Sequence, residues 1–280
     1  MPPATFDLNS VEAAITGTEF AGCLMHFPTV ASTNDLALEA AQIGARHGVW
    51  IADEQTAGRG RGNHAWHSSP GDGLYMSALI SPPIPMQSAL RLSLRVAIAV
   101  QSAIVSITGF RRPDQIDIRW PNDLLLNGRK CGGILIETSA QPTPPSGPPM
   151  LRHAVIGIGI NCNNTSFPPE LNAVATSLRR ELPDASEPLM REPLAAAILV
   201  ALDEEIRLII RGWRGTNNRR ARNISEYSTW ITGKRVRIQP TDTDPGYTGT
   251  TAGLDPSGFL LVTGDDGKLH TVLSGGVREP

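Results

Sequence analysis

Cysteine is scarce in this chain, and what little there is excludes several chemistries. Cys23, Cys131 and Cys162 are odd in number and share no C-x-x-C spacing, which fits a reducing compartment and argues against a structural zinc. The six histidines show neither H-x-x-x-H nor H-E-x-x-H spacing, and Ser77 and Ser139 lack a G-x-S-x-G setting. Metalloprotease and serine-hydrolase chemistry therefore fall away. No uninterrupted apolar run reaches the ~18 residues of a transmembrane helix, and residues 1–7 show no basic segment leading into an apolar one. Net charge is also small: a formal −2 argues against a surface built for nonspecific nucleic-acid binding. A cytoplasmic globular protein is the expectation, with neither DNA nor a membrane as partner.

What is present suits one large domain, or one large and one small, since 280 residues with 40% hydrophobic content are ordinary for a globular protein. Ser32 and Thr33 are good N-cap residues, and the apolar spacing after them predicts a helix over 32–46. Strands are expected at 49–53, 73–80, 116–120, 124–126, 133–137 and 154–160, with Asn127-Gly128 marking a hairpin. Long apolar helices are expected at 89–107 and 194–210, the second with Glu204 and Glu205 on its wetter side. From Lys234 onward short strands at 235–238, 248–254, 259–263 and 269–272 alternate with Gly, Asp and Pro, the pattern of a small all-β barrel. The expected division is 1–229 and 230–280.

Two segments stand out. In the first, Gly58, Gly60 and Gly62 alternate with Arg59 and Arg61, and Trp66 follows. Glycines let backbone approach a ligand closely, and guanidinium forks match phosphate or carboxylate oxygens. The loop follows neither the P-loop nor the dinucleotide fingerprint, so it is either a solvated basic turn or an anion grip. Trp66 favours the grip, because an indole there could cap a ligand or stack on a base. In the second segment Lys130 precedes Cys131, Gly132, Gly133 and the apolar run Ile134-Leu135-Ile136. A lysine at the mouth of a buried strand is either a snorkelling edge residue or an anion contact. Trp120-Pro121-Asn122-Asp123 reads as a strand end and turn. The segment from Val155 to Asn163 reads as a strand whose alternate glycines leave room for a flat ligand, with Asn161 near a base or ribose.

Taken in order, these segments closely resemble the biotin protein ligase family. Ser32-Thr33-Asn34 is similar to its first motif, and the stretch from Gln55 to Gly62 to its adenylate-binding loop. Trp120-Pro121-Asn122-Asp123, Arg129-Lys130-Cys131-Gly132-Gly133 and Gly157-Ile158-Gly159-Ile160-Asn161 complete the series. Cys131 stands where the family often has a small or aliphatic residue, a departure that leaves Lys130 in register. The resemblance implies an α+β fold, with a mixed β-sheet flanked by helices as in class II aminoacyl-tRNA synthetases and a C-terminal SH3-like barrel. It also implies ATP and biotin as substrates with magnesium, and a biotin carboxyl carrier protein as acceptor. Lys130 and Arg61 would be catalytic. Ser32, Thr33, Asn34, Gln55, Gly58, Arg59, Gly60, Arg61, Lys130, Gly132, Gly133 and Gly157 would hold biotin, while Arg59, Arg61, Trp66, Asn122, Lys130 and Asn161 would hold the nucleotide. Asp123 would be a magnesium contact or a structural acid. Only 31 residues precede Ser32, too few for the winged helix of regulatory members, so a non-repressor form, monomeric or homodimeric, is expected. The rivals are a lipoate or octanoate ligase of the same fold, a biotin-sensing repressor, and a protein that binds biotin without catalysis.

Overall fold

The computed structural model describes residues 6–142, 147–182, 187–213, 224–239 and 245–280. Along the chain run α1 (Leu8–Ala14), β1 (Leu24–Val30), α2 (Thr33–Gln42), β2 (Gly48–Gln55), β3 (Gly73–Ile80), α3 (Ala89–Thr108), β4 (Ile116–Arg119) and β5 (Asp123–Leu126). They are followed by β6 (Arg129–Ala140), β7 (Leu151–Asn161), α4 (Leu178–Glu181) and α5 (Arg191–Trp213). Five strands then close the sequence: β8 (Thr232–Gln239), β9 (Tyr247–Leu254), β10 (Leu260–Gly264), β11 (Leu269–Val272) and β12 (Gly276–Arg278).

Strands β1 to β7 make one mixed sheet in the order β1-β2-β3-β7-β6-β5-β4, with β1 and β2 parallel and the other neighbours antiparallel. The remaining strands form a five-stranded antiparallel sheet, β11-β10-β9-β8-β12. The fold is thus α+β, a mixed sheet flanked by helices followed by a small all-β unit. The two are not independent, because Leu94, Trp120 and Leu125 share a core with Trp230, Val236, Ile238 and Leu260, and Trp120 Nε1 donates to Gly258 O at 3.1 Å.

Period-2 alternation gives the large sheet two unlike faces. On β7, Ile156, Ile158 and Ile160 enter the main core under α3 and α5, whereas Val155 packs with Ala37 and Ala41 of α2 on the opposite face. Gly157 and Gly159 share that opposite face, where their missing side chains let other side chains lie directly on the sheet. Helix α3 ends at Gly109, whose φ of 73° places it in the left-handed region that stops the helix. The 86–108 segment is long and apolar enough to pass as a membrane span, but its buried side chains belong to the core. Leu92, Val96, Val100 and Ile104 each contribute roughly 1.5–3 kcal/mol when buried there. The Asn127-Gly128 hairpin is as expected, with positive φ at both residues (49° and 79°) as a type I′ turn demands.

One side chain corrects the sequence reading of α5. Glu205 is 2% exposed and pairs with Arg95 of α3 at 3.1 Å, so it faces the interior and ties the two helices together.

Candidate active site

The glycine-bearing face of the large sheet is covered by α2, by the 58–66 segment and by the edge of the small sheet. A cavity of about 780 Å³ lies between them, within the size range of small-molecule sites. All the candidate residues named from the sequence line it except Gly58 and Gly132. A Cβ on Gly132 would meet Ile160 Cδ1 at 2.6 Å, so that glycine serves β6–β7 packing. A Cβ on Gly58 would lie 2.9 Å from Trp66 O, so this glycine lets its own loop close.

One end of the cavity is polar, with Ser32, Thr33, Asn34 and Gln55 as uncharged side chains in its wall. Ser32 sits at the N-cap of α2 in extended backbone, but its hydroxyl does not cap the helix. Gln55 Oε1 takes the capping role, accepting from Thr33 N at 2.9 Å and from Thr33 Oγ1 at 3.1 Å. The Thr33 hydroxyl also meets Ser77 Oγ at 2.7 Å, Ser77 Oγ donates to Asn34 Oδ1 at 2.5 Å, and Asn34 Nδ2 donates to Glu137 Oε2 at 2.8 Å. Ser32, Thr33, Asn34 and Ser77 are all buried. The chain of hydrogen bonds fixes Thr33, Asn34 and Ser77 in a low-dielectric wall, where an unmatched ligand would be penalised. The space over Gly157 belongs to this network, since a Cβ there would stand 2.2 Å from Asn34 Oδ1.

The other end is cationic, and a β-bulge builds it. In β6, Gly133 and Leu135 alternate on the face that carries the cavity, so uninterrupted alternation would send Lys130 to the core face. The register with β5 instead slips between Leu124↔Gly132 and Leu125↔Lys130, leaving Cys131 as the extra residue. Cys131 turns into the core and Lys130 joins Gly133 on the cavity side. Such a bulge re-aims a side chain at little cost to the sheet. Lys130 is held on its other edge as well, with Lys130 N donating to Val174 O at 2.8 Å and Thr176 N donating to Lys130 O at 2.9 Å.

Asp123, across the hairpin, fixes the lysine head. Lys130 Nζ lies 2.6 Å from Asp123 Oδ1, and Arg119 Nη2 lies 2.6 Å from Asp123 Oδ2. Burial pushes the Asp123 carboxyl up, but Lys130 and Arg119 outweigh it and hold the group below its ordinary value. Both carboxylate oxygens thus have cationic partners, and the described residues contain no cluster of three or more His, Cys, Asp or Glu able to hold a metal. The geometry fits Asp123 as the anchor of Lys130 rather than a magnesium contact. Trp66 completes this end. Its indole lies against the sheet where a Cβ on Gly159 or Gly133 would stand 2.6 or 3.1 Å away, and Lys130 Nζ is 5.5 Å from the ring centroid. The room left by the alternate glycines is therefore filled by the chain's own side chains, Asn34 over Gly157 and Trp66 over Gly159.

The glycine-arginine loop is a closed hairpin. Trp66 N donates to Gly58 O at 2.8 Å and Gly60 N to His64 O at 2.7 Å, while Gly62 takes the left-handed conformation at φ 62°. Arg61 reaches Asn122 Oδ1 at 3.4 Å, and Asn122 Nδ2 in turn donates to Ile134 O at 2.6 Å. Asn161 Nδ2 donates to Thr176 O at 3.0 Å, joining β7 to the segment that braces Lys130.

The sequence reading passed over Glu137, Asp35, Ser77 and the strip Ser274–Arg278, which lines the cavity from the small sheet. Glu137 had a usable signal, lying in period 2 with Gly133. The strip had none, because its proximity depends on how the two sheets pack.

Residues 27–161 match the biotin/lipoate A/B protein ligase family and 231–277 the biotin protein ligase C-terminal domain. The biotin–[acetyl-CoA-carboxylase] ligase of Mycobacterium tuberculosis is 33% identical over 249 residues, covering 88% of this chain and 84% of that protein. The chain belongs to the biotin protein ligase family. As a ligase of that family it is also similar to the bifunctional ligase/repressor BirA of Bacillus spizizenii, at 39% identity over 66% of this chain. It spans about half of that relative's length, 54%. Among solved structures, the biotin protein ligase of Aquifex aeolicus in complex with biotin and ATP shares the fold, with a TM-score of 0.69 at 24% identity over 92% of this chain and 100% of that one.

Proposed function

We propose that the chain is an ATP-dependent biotin–protein ligase of the cytoplasm. It makes biotinyl-5′-AMP and transfers the biotinyl group to a lysine of a biotin carboxyl carrier protein, that of acetyl-CoA carboxylase. The observation that carries this reading is one cavity with a hydrogen-bonding end and a cationic end. A ureido ring has donors and acceptors to match Ser32, Thr33, Asn34 and Gln55. The Lys130 and Arg61 end suits a carboxylate meeting a phosphate. A lipoyl dithiolane ring offers this end no donors or acceptors, and sites built to hydrogen-bond a ligand reject analogues lacking the partner groups.

In the first step a biotin carboxylate oxygen attacks the α-phosphorus of ATP. A P–O bond forms, the bond to the bridging oxygen breaks, and pyrophosphate leaves with the magnesium it carries as part of the substrate. Two anions approach each other, so positive charge fixed before the reaction lowers the barrier. Lys130, held by Asp123, and Arg61, held by Asn122, supply it. Trp66 and the loop exclude water, which protects a hydrolysable mixed anhydride. In the second step the acceptor lysine nitrogen attacks the acyl carbon, the C–O bond to the phosphate breaks, AMP leaves and the amine gives up a proton.

The test is transfer of labelled biotin or labelled lipoate to a biotin carboxyl carrier domain with ATP. ATP-dependent labelling with biotin alone is expected. Labelling with lipoate alone, or with neither, overturns the reading.

A further inference from the structure

Arg59 lines the cavity, yet its guanidinium is turned to two carboxylates. Arg59 Nη2 lies 2.6 Å from Asp35 Oδ1 on α2 and 3.0 Å from Glu137 Oε2 on β6, and Nη1 donates to Glu137 Oε1 at 3.1 Å. Glu137 meets the arginine through both of its oxygens, a bidentate geometry that fixes direction as well as distance. Partial burial lowers the Arg59 guanidinium, but Glu137 and Asp35 outweigh it and hold it above its ordinary value. Arg59 also bridges Ala65 across the hairpin neck, so whatever holds its head holds the whole loop. Neither carboxylate lines the cavity.

We propose that Glu137 and Asp35 are positioning residues: by gripping Arg59 they hold the 58–62 loop down over the cavity and set how long the activated intermediate is retained. Arg61 is then the arginine left to face the ligand. The loop has three glycines and would lose much backbone entropy on ordering, and two ion pairs to separate elements offset that loss. Glu137 also accepts from Asn34, whose network lines the polar end, so the loop anchor and the ligand-binding wall share one side chain. The retention half of this inference rests on the ligase reading. The loop-holding half does not.

The test uses the full chain and the variants Glu137→Gln and Asp35→Asn. Glutamine keeps an acceptor for Asn34 while losing the charge that grips Arg59. Trypsin cleavage at the Arg61–Gly62 bond reads loop opening without catalysis and should quicken roughly threefold in each variant, the weight of one partly exposed ion pair. Release of biotinyl-5′-AMP should accelerate by a similar factor, with its formation changed less. Combining Glu137→Gln with Arg59→Gln should release the adenylate no faster than Arg59→Gln alone, because Glu137 acts through Arg59. Additive effects would assign Glu137 a separate structural role and overturn the proposal, as would unchanged cleavage in both variants. A parent chain that makes no adenylate would defeat the ligase reading, while the cleavage experiment still decides whether the loop is held.

Discussion

Replacing Lys130 with alanine should separate chemistry from stability. The lysine head lies 2.6 Å from Asp123 and faces the cavity beside Trp66. Removing one preorganised electrostatic donor typically costs about 2.7–4 kcal/mol of transition-state stabilisation, or roughly 100- to 1,000-fold in rate. The folded state should lose much less. Stripping a buried carboxylate of its sole partner costs about 3–5 kcal/mol, but Asp123 keeps Arg119 at 2.6 and 3.2 Å. The lysine is itself about one-third exposed, so a loss near 1 kcal/mol is expected, as for a partly solvated pair. The assay is single-turnover formation of biotinyl-5′-AMP at saturating biotin and ATP, with biotin affinity and thermal melting measured on the same preparation. Adenylation should collapse while affinity and melting change little, because charge accumulates only as the carboxylate reaches phosphorus. A rate within about threefold of the parent would refute the role given to Lys130.

Three further outcomes follow from the geometry. In Gly159→Ala the new methyl would stand 2.6 Å from the Trp66 ring, which must shift at a cost of about 1–3 kcal/mol, so the KM for ATP should rise and Trp66 fluorescence should change. Asp123 is held below its ordinary value, so its stabilisation is complete above roughly pH 4 and is lost as pH falls through the lower folded value. The difference in melting temperature between the parent and Asp123→Asn should therefore be steady at neutral pH and shrink only in strong acid. Burial pushes the Cys131 thiol far up and Cys162 to about 12, so iodoacetamide should modify Cys23 in the native protein and reach the other two only after unfolding.

Much of this architecture was legible in the sequence. Asn127-Gly128 named its hairpin, strand β3 fell where its apolar run placed it, and the motif segments converge on one cavity. What escaped shows where local pattern runs out. Strand β1 carries Pro28 and lacks alternating burial because it is an edge strand, paired on one side only. The aim of Lys130 depends on a bulge, and a one-residue change of parity cannot be read from residue types alone. Glu205 looked solvated because its partner Arg95 comes from a helix 110 residues away in sequence. Arg59 resembled a ligand contact by motif, while its two carboxylate partners are fixed only by tertiary structure.

The central claim is that this cavity joins a biotin carboxylate to adenylate, and pyrophosphate–ATP exchange in the absence of any acceptor protein measures that step alone. Incorporation of labelled pyrophosphate into ATP should require biotin, should not occur with lipoate, and should be lost in Lys130→Ala. Exchange without biotin, or equal exchange in Lys130→Ala, would contradict the account.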